Sequence, residues 1–334
     1  MTIASGYAEN GQSADLADIR LALLTWFAGF ARDLPWRHTR DPYHILVSEV
    51  MLQQTQVDRV VPRYQAFLDQ FPTIEALAAA PVAEVIRAWS GLGYNRRAVN
   101  MQRAARAVLE QHGGEFPRDV AALRRLPGIG PYTAGAIACF AFEQDVAFID
   151  TNIRRVVRRL FVGAADGDPP SEAQLLDLAQ RAIPPGQGWA WNQAIMELGA
   201  LICTAATPNC WRCPLQAHCR DYADRRASDE RLFAEAAAVG GPGWPPRSSS
   251  PGRSRAVAER REMPYAGSSR FYRGQIVEAL RQLPPGRSLP LDELGPRIKA
   301  GFGAADRAWL VELVEGLARD GLLLRESDAA RLPE

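Results

Sequence analysis

The chain has 334 residues, enough for two or three domains with sizeable cores, and its formal net charge is only +1. This balance gives no sign of a nucleic-acid partner for the whole chain, although arginines crowd two segments, 87–106 and 154–159. No run of about 18 apolar residues is present, and the polar N-terminus lacks the apolar stretch of a signal peptide. The sequence therefore predicts a soluble cytoplasmic protein that does not enter membranes.

Apolar periodicity predicts a series of helices with little strand structure. The predicted segments are 16–30, 45–52, 59–71, 82–89, 97–111, 120–125, 132–140, 153–160, 172–183 and 189–203. A stretch rich in Gly, Pro, Ser and Arg follows at 240–255 and is typical of a linker. Two further predicted helices, at 271–283 and 306–324, suit a small winged-helix-like unit.

Four of the five cysteines lie in one short stretch, at Cys203, Cys210, Cys213 and Cys219. Thiolates this close together repel one another unless a metal centre or disulfide bonding removes the charge. Zinc sites usually use two close cysteine pairs separated by a longer spacer, whereas this uneven spacing favours a [4Fe–4S] cluster. A zinc ion and two disulfides are the alternatives. The fifth cysteine, Cys139, lies in an apolar run and is predicted to be a core residue.

A glycine-containing turn, LPGIGPYTA (126–134), joins two predicted helices. Gly128 and Gly130 permit the positive φ angles of a tight hairpin, and the N–H groups at the start of the next helix can bind a DNA phosphate. A simple helix C-cap is the alternative. Twenty residues after Gly130, Asp150 ends an apolar run at a position suited to capping the arginine-rich helix that follows.

The hairpin, Asp150 and the cysteine loop, in this order and spacing, resemble the helix-hairpin-helix DNA glycosylase superfamily with an iron–sulfur loop, and within it the MutY adenine glycosylases. The motifs similar to MutY are LPWR (34–37), DPY (41–43), SEVMLQQTQV (48–57), GLGY (91–94) and NQAIMELGA (192–200). The resemblance covers about residues 16–220. The sequence IDTN (149–152) departs from the more usual MutY DGN and resembles an actinobacterial branch, as does the C-terminal region.

The resemblance implies a mostly α-helical, two-lobed helix-hairpin-helix glycosylase core with a [4Fe–4S] loop, followed by the small winged-helix-like unit. We expect a disordered tail (1–15), the core (16–225), a linker (226–265) and the C-terminal unit (266–334). The core would contain a six-helix lobe (about 50–145) and a cluster lobe (16–49 plus 146–225).

The C-terminal unit has no evident Nudix-like domain, the part of full-length MutY enzymes that reads 8-oxoguanine. Residues 226–334 are too few and too rich in linker sequence to hold one comfortably. We expect this unit to swing on its linker and to bind the DNA face opposite the core.

Glu49 lies in a segment that is apolar on nearly every side, which would draw its carboxyl group into low dielectric and raise its pKa. A surface glutamate is the alternative. The resemblance implies that Glu49 protonates adenine at N7 and that ionised Asp150, an ordinary carboxylate, stabilises the cationic sugar, as the two carboxyl groups of retaining glycosidases do.

Further roles are implied by the resemblance alone. Tyr132 and Asn152 complete the catalytic set. The base pocket is lined by Trp36, Arg37, Leu52, Val57 and Glu197. DNA is contacted by Gln54, Thr55, Tyr94, Gly128 and Gly130, with Gln54 and Tyr94 entering the base stack once adenine is flipped out.

Tyr132 occupies the hairpin position where lyase-type relatives carry a nucleophilic lysine. The only lysine in the chain is Lys299, in the C-terminal unit. Without an amine near the sugar, β-elimination through a Schiff base is not available, so a monofunctional hydrolase is predicted.

The implied partner is double-stranded DNA with mismatched or oxidised bases, bound by a monomer associated with a bacterial nucleoid. Two alternatives remain. One is a thymine glycosylase that acts on T:G mismatches. That branch also has a hairpin tyrosine, and His38-Thr39-Arg40 of this chain is similar to its sequence. The other is a non-catalytic iron–sulfur protein that binds DNA or transfers electrons.

Overall fold

The computed structural model describes residues 12–163, 169–238 and 265–334, and most of these residues are helical. The mostly α-helical class predicted from the sequence is confirmed. None of the helices in the described ranges is long and apolar enough to cross a membrane. Two compact units can be distinguished, one formed by Met1–Asp33 with Gly135–Arg253 and the other by Leu34–Ala134 with Ser254–Glu334. The lobe boundaries expected near residues 50 and 145 stay predictions.

The unit that begins at Leu34 contains a series of helices before its C-terminal domain. They are α2 (Pro42–Leu52), α3 (Val57–Gln70), α4 (Ile74–Ala79), α5 (Val82–Ala88), α6 (Arg96–His112), α7 (Val120–Leu123) and the first turn of α8 (Pro131–Phe142). Helix α2 begins at Pro42 because proline fits the first helical position and the Asp41 side chain accepts a bond from the Tyr43 N–H at 2.8 Å. The amide of buried Gln102 holds α6 to the end of α4 by donating to the carbonyl oxygens of Leu77 (3.0 Å) and Ala80 (2.6 Å).

The other unit holds a second series of helices. They are α1 (Gln12–Phe30), the remainder of α8, α9 (Thr151–Val157), α10 (Glu172–Ala182), α11 (Gly188–Leu201) and α12 (Arg220–Ala238). Helix α9 continues as a wider π turn over Arg158–Val162. Helix α11 lies very close to α9 at Gly199, where an added Cβ would stand 2.8 Å from Cβ of Asn152. Glycine at this position therefore lets the helix with Asn152 approach the helix that leads into the cysteine loop.

Two helices near the N-terminus differ from the sequence-based expectation. Helix α1 begins at Gln12, so residues 12–15 of the expected disordered tail are helical, and residues 1–11 lie outside the described residues. Helix α4 was not predicted because it has only six residues, half of them alanine, which are too few to show a helical period. Thr73 marks its start, since its side chain accepts from the Ala76 N–H at 3.2 Å.

Helix α12 overlaps the expected linker. It runs to Ala238, so residues 226–238 are helical, while residues 239–264 lie outside the described ranges. The helix was missed because it is polar on nearly every side and has no apolar stripe. Ion pairs one turn apart support it instead, between Arg225 and Asp221 (2.6 Å) and between Arg226 and Glu230 (3.1 Å).

The C-terminal domain has the element order of a winged helix. Its elements are α13 (Ser269–Arg281), β1 (Leu289–Pro290), α14 (Leu291–Ile298), α15 (Arg307–Arg319), β2 (Leu324–Glu326) and β3 (Ala329–Arg331). The three strands form an antiparallel sheet in the order β1-β3-β2, with Ala330 opposite Leu289 on one side and Arg325 on the other. The winged-helix-like expectation is confirmed.

This domain does not swing freely, and the expectation that it does is wrong. Its apolar core is continuous with Ala83 and Ile86 on α5 and Val99 on α6, all at most 9% exposed. The backbone N–H of Ala83 also donates to the carbonyl oxygen of Pro333 at 2.9 Å. Apolar surface that is shared in this way is lost to water if the two parts separate, which opposes separation.

Candidate active site and cysteine loop

Glu49 is placed in the interior by α2. The helix is apolar on both sides of this position, and the Glu49 side chain is 3% exposed. The hydroxyl of Tyr132 donates to Oε2 of Glu49 at 2.7 Å. The predicted burial of Glu49 is therefore found, and the surface alternative is wrong.

Tyr132 follows a hairpin whose shape depends on Gly128. This glycine has a φ of 76°, and a Cβ there would stand 2.6 Å from Cβ of Asn100, so no other residue fits without movement. Gly130 does not have a positive φ, contrary to the expectation; its carbonyl oxygen instead accepts the first bond of α8, from the Ala134 N–H at 3.0 Å. The hairpin and α2 meet again where Nε2 of Gln53 donates to Oγ1 of Thr133 at 3.3 Å.

Arg97, on α6, binds the end of α2 and the loop before α6. Its acceptors are the carbonyl oxygens of Val50 (2.6 Å), Met51 (3.1 Å), Gln53 (2.6 Å), Leu92 (3.1 Å) and Gly93 (3.2 Å). Burial lowers the pKa of Arg97 to about 10, so the guanidinium stays charged at neutral pH. A positive charge at the carbonyl end of a helix is favourable. Arg97 therefore anchors the helix that carries Glu49.

Gln54 and Tyr94 lie on the two turns that Arg97 supports. Both have left-handed backbone conformations, with φ of 56° for Gln54 and 46° for Tyr94, which residues other than glycine rarely adopt. Both side chains are exposed, and Tyr94 is 44% exposed. Thr55 lies between the turns and donates to the carbonyl oxygen of Leu92 at 3.5 Å. Strained, exposed residues on a supported turn are typical of functional positions.

The other predicted pocket residues of this unit lie on α2, in the short turn before it, or at the start of α3. Trp36 is 6% exposed, in a short turn next to α2, and its ring meets that of Tyr64 edge-on at 5.5 Å. Arg37, Leu52 and Val57 are partly buried. Their role in holding a base stays a prediction.

Asp150 and Asn152 lie in the other unit, at the start of α9. Asp150 caps this helix, because its Oδ1 accepts from the Ile153 N–H at 2.6 Å, and its Oδ2 accepts from Nδ2 of Asn152 at 3.3 Å. Burial raises the pKa of Asp150, although the bonds from Ile153 and Asn152 and the charge of Arg155 oppose the shift. The expectation of an ordinary carboxylate is thereby corrected.

Arg155 connects this acidic site to the start of the cysteine loop. Its Nη2 donates to Oδ1 of Asn152 and to the carbonyl oxygen of Gly199, both at 2.7 Å. Its Nε donates to the carbonyl oxygen of Cys203 at 2.6 Å. Sequence reasoning placed Arg155 only in a charge run, because nothing in a single sequence indicates which arginine turns inward.

Glu197, a predicted pocket residue, is 1% exposed and forms an ion pair with Arg32 at 2.7 Å. Its Oε1 also accepts from the backbone N–H (2.9 Å) and Nε (2.8 Å) of Arg32. The charge of Glu197 is thus matched within its own unit. Sequence reasoning did not identify Arg32, and the pocket role of Glu197 stays a prediction.

The four cysteines of the loop line one cavity. Its other lining residues are Arg159, Ile202, Pro208, Gln216, Tyr222 and Arg225. None of the five cysteines, all of which lie in the described ranges, is joined to another by a disulfide, so this structure does not favour the disulfide alternative. Burial raises the pKa of Cys213 to about 12, with smaller contributions from the charges of the neighbouring loop cysteines. Cys139 is fully buried, as predicted for a core residue.

Arginine side chains hold the loop and contact its sulfur atoms. Nη1 of Arg159 lies 3.4 Å from Sγ of Cys203 and donates to the carbonyl oxygen of Thr204 at 2.7 Å. Nη2 of Arg225 lies 3.6 Å from Sγ of Cys210. Throughout the described ranges, no three His, Cys, Asp or Glu side chains converge closely enough to hold a single metal ion.

The arginine side chains of the two arginine-rich segments are therefore not all turned toward solvent. Several of their guanidinium groups bind carbonyl oxygens inside the molecule. These are Arg87, Arg97 and Arg106 in the first segment and Arg155 and Arg159 in the second.

Residues 47–183 match the family described as the HhH-GPD superfamily of base excision DNA repair proteins. The adenine DNA glycosylase of Mycolicibacterium smegmatis is 42% identical over 261 residues, which are 78% of this chain and 79% of that protein. The adenine DNA glycosylase of Mycobacterium tuberculosis is 37% identical over 314 residues, 92% of this chain and 90% of that protein. A solved thermostable thymine-DNA glycosylase has a TM-score of 0.60 and 32% identity, covering 64% of this chain and all of that one. The chain belongs to the HhH-GPD superfamily of base excision DNA repair proteins, and within it to the adenine glycosylases of MutY type.

Proposed function

We propose that the chain is a monofunctional adenine DNA glycosylase, which hydrolyses the N-glycosidic bond of adenine paired with 8-oxoguanine or guanine. The observation that carries this proposal is the hydrogen bond from partly buried Tyr132 to buried Glu49. A carboxyl group in this setting is suited to donating a proton, and a phenol at the hairpin position cannot form a Schiff base.

The bond-breaking step assigns one role to each acid. Glu49 donates its proton to N7 of the flipped adenine, so the base leaves as a neutral molecule. Asp150, ionised, stabilises the oxocarbenium sugar or bonds to it transiently, and water then supplies the hydroxyl group of the abasic site.

Asn152 and Arg155 support Asp150 in this scheme. The amide of Asn152 donates to Oδ2 of Asp150, and Arg155 orients that amide from the other side. Both interactions favour the ionised carboxylate and so oppose the effect of burial. These interactions limit the rise in the pKa of Asp150 that burial causes.

The cysteine loop fits a [4Fe–4S] cluster held by Cys203, Cys210, Cys213 and Cys219. The donor set is all thiol, the thiols share one cavity, and Arg159 and Arg225 can donate to sulfur, as suits the negative charge of such a centre. These four cysteines would hold the cluster, which would join the ends of the loop. The loop then presents basic side chains such as Arg212 and Arg220 to DNA phosphates, adding affinity that depends on salt but not on sequence.

A single-turnover assay tests the function on duplexes that pair adenine with 8-oxoguanine, guanine or cytosine, and thymine with guanine. We expect excision of adenine opposite 8-oxoguanine and guanine, and no excision of thymine opposite guanine. Excision of thymine instead would favour the thymine glycosylase alternative, which the relatives' names do not favour. Binding without excision of any base would favour the non-catalytic alternative. The cytoplasmic location and the monomeric state stay predictions.

A further inference from the structure

The C-terminal domain contacts the exposed turn that carries Tyr94. Nη1 of Arg270, near the start of α13, donates to the hydroxyl of Tyr94 at 2.9 Å, and the Arg270 guanidinium lies 5.3 Å from the centre of the Tyr94 ring. The Arg97 guanidinium lies 5.6 Å from the same ring. The Tyr94 side chain is thus held by one cation from α6 and another from the C-terminal domain.

The same helix fixes the residue next to Tyr94. Nη2 of Arg281 donates to Oδ1 of Asn95 at 2.7 Å, while its Nε donates to the carbonyl oxygen of Ile86 at 2.9 Å. The Arg281 side chain is only 9% exposed. A second link runs from Arg96 to Asp320, at 3.4 Å. Residues near both ends of α13, Arg270 and Arg281, therefore bind the loop that carries Tyr94 and Asn95.

Tyr94 requires this support for a physical reason. Its φ of 46° is unfavourable for a residue with a side chain, and its ring is 44% exposed, so neither the backbone nor the packing alone fixes the ring. A hydrogen bond and a cation–π contact together restrict the ring to one orientation.

We propose that Arg270 is a positioning residue for Tyr94, holding its ring ready to enter the DNA base stack. This inference rests on the proposed function, in which Tyr94 fills the space left by the flipped adenine. A side chain that is ordered before binding loses less conformational entropy on insertion. The C-terminal domain thereby takes part in base flipping through the protein, without having to read the opposite base.

A double-mutant cycle tests the proposal on the full chain. The variants are Arg270→Ala, Tyr94→Ala and both together, with Arg287→Ala as the matched control, because Arg287 is an exposed arginine of the same domain. Single-turnover excision at saturating enzyme and the Kd for duplex DNA are measured for each. In the background of Glu49→Gln, fluorescence of 2-aminopurine beside the target adenine reports flipping without excision.

We expect Arg270→Ala to slow excision and flipping about tenfold, the combined value of one hydrogen bond and one cation–π contact, with little change in Kd. Arg287→Ala should behave as wild type. In the Tyr94→Ala background, Arg270→Ala should have no further effect. Arg270→Gln, which keeps a donor for the Tyr94 hydroxyl, should recover part of the loss.

Two outcomes would overturn the proposal. If Arg270→Ala weakens binding equally with and without Tyr94, Arg270 contacts DNA phosphate directly. If Arg270→Ala matches Arg287→Ala in every measurement, the contact has no role in flipping. Failure of the proposed function would look different, because wild-type protein would then excise no adenine from any duplex. Thermal melting of each variant shows whether the domain is still folded.

Discussion

The hydroxyl of Tyr132 donates to Oε2 of Glu49 across 2.7 Å, joining the glycine hairpin to the helix that carries the acid. One hydrogen bond thus fixes the orientation of the carboxyl group. Tyr132→Phe keeps the ring and removes the hydroxyl that makes this bond. We expect single-turnover excision to fall about tenfold, the value of one hydrogen bond to an acidic group, with unchanged DNA binding. Tyr265→Phe, at a 62% exposed position, is the control.

Removal of the acid itself should have a larger effect. Glu49→Gln retains the shape of the side chain and an oxygen that accepts from Tyr132, so folding and binding to mismatched DNA should persist. Excision should fall by about 10²–10⁴, because the leaving group is no longer protonated. The exposed Glu110→Gln is the matched control. Rapid excision by Glu49→Gln would show that another group is the acid.

Substitutions of Asp150 separate helix capping from chemistry. Asparagine caps helices as well as aspartate does, so Asp150→Asn should stop excision without lowering the free energy of unfolding. Asp150→Ala should also stop excision but lose about 1 kcal/mol of stability, because the Ile153 N–H loses its acceptor. Chemical denaturation at pH 7 measures the difference. Equal activity of Asp150→Asn and wild type would mean that Asp150 is only a cap.

The raised pKa of Asp150 predicts a pH dependence of both activity and stability. Because the carboxylate must be ionised to balance the cationic sugar, excision should decline with falling pH sooner than for an ordinary aspartate. The effect on stability has the opposite sign. A raised pKa means that the folded state favours the protonated form, so this group's contribution to stability is greatest below its unfolded pKa and is lost as pH rises through the folded pKa. Asp150→Asn should remove this pH-dependent term, and unfolding of both proteins across the acidic range checks it.

The cysteine loop predicts a defined metal content. Purified protein should contain iron and acid-labile sulfide in equal amounts, and Cys213→Ser should lose much of both. Cys139→Ala is the control, since Cys139 is buried on α8, does not line the cavity of the loop cysteines, and accepts from Nδ2 of Asn192 at 3.3 Å. Zinc found at one ion per chain in place of iron would contradict the cluster.

Borohydride trapping should yield no covalent adduct with DNA, and strand breaks should appear only after heat or alkali. The reason is that Lys299, the only lysine, pairs with Asp306 at 2.5 Å and lies 5.1 Å from the Trp309 ring centre. An adduct that disappears in Lys299→Ala would show that the C-terminal domain reaches the abasic site. An adduct that persists would point to the N-terminal amine.

The sequence predicted those parts of the site that local chemistry determines. Asp150 indicated a helix start, and the apolar neighbours of Glu49 indicated burial. The inward arginines were not predicted, because Arg97 and Arg155 act through carbonyl oxygens that any residue supplies. The docking of the C-terminal domain was also missed, since it depends on apolar faces far apart in the chain, which no local period reveals.

The apolar core shared by α5, α6 and the C-terminal domain also leaves a mark that can be read in other sequences. A relative without such a domain would expose the positions of Ile86 and Val99 to water, and polar residues would be favoured there. Hydrophobic residues at both positions therefore predict that a relative carries a docked domain at this surface. Whether these positions of α5 and α6 are hydrophobic or polar thus indicates whether a C-terminal domain is present to supply a cation to Tyr94.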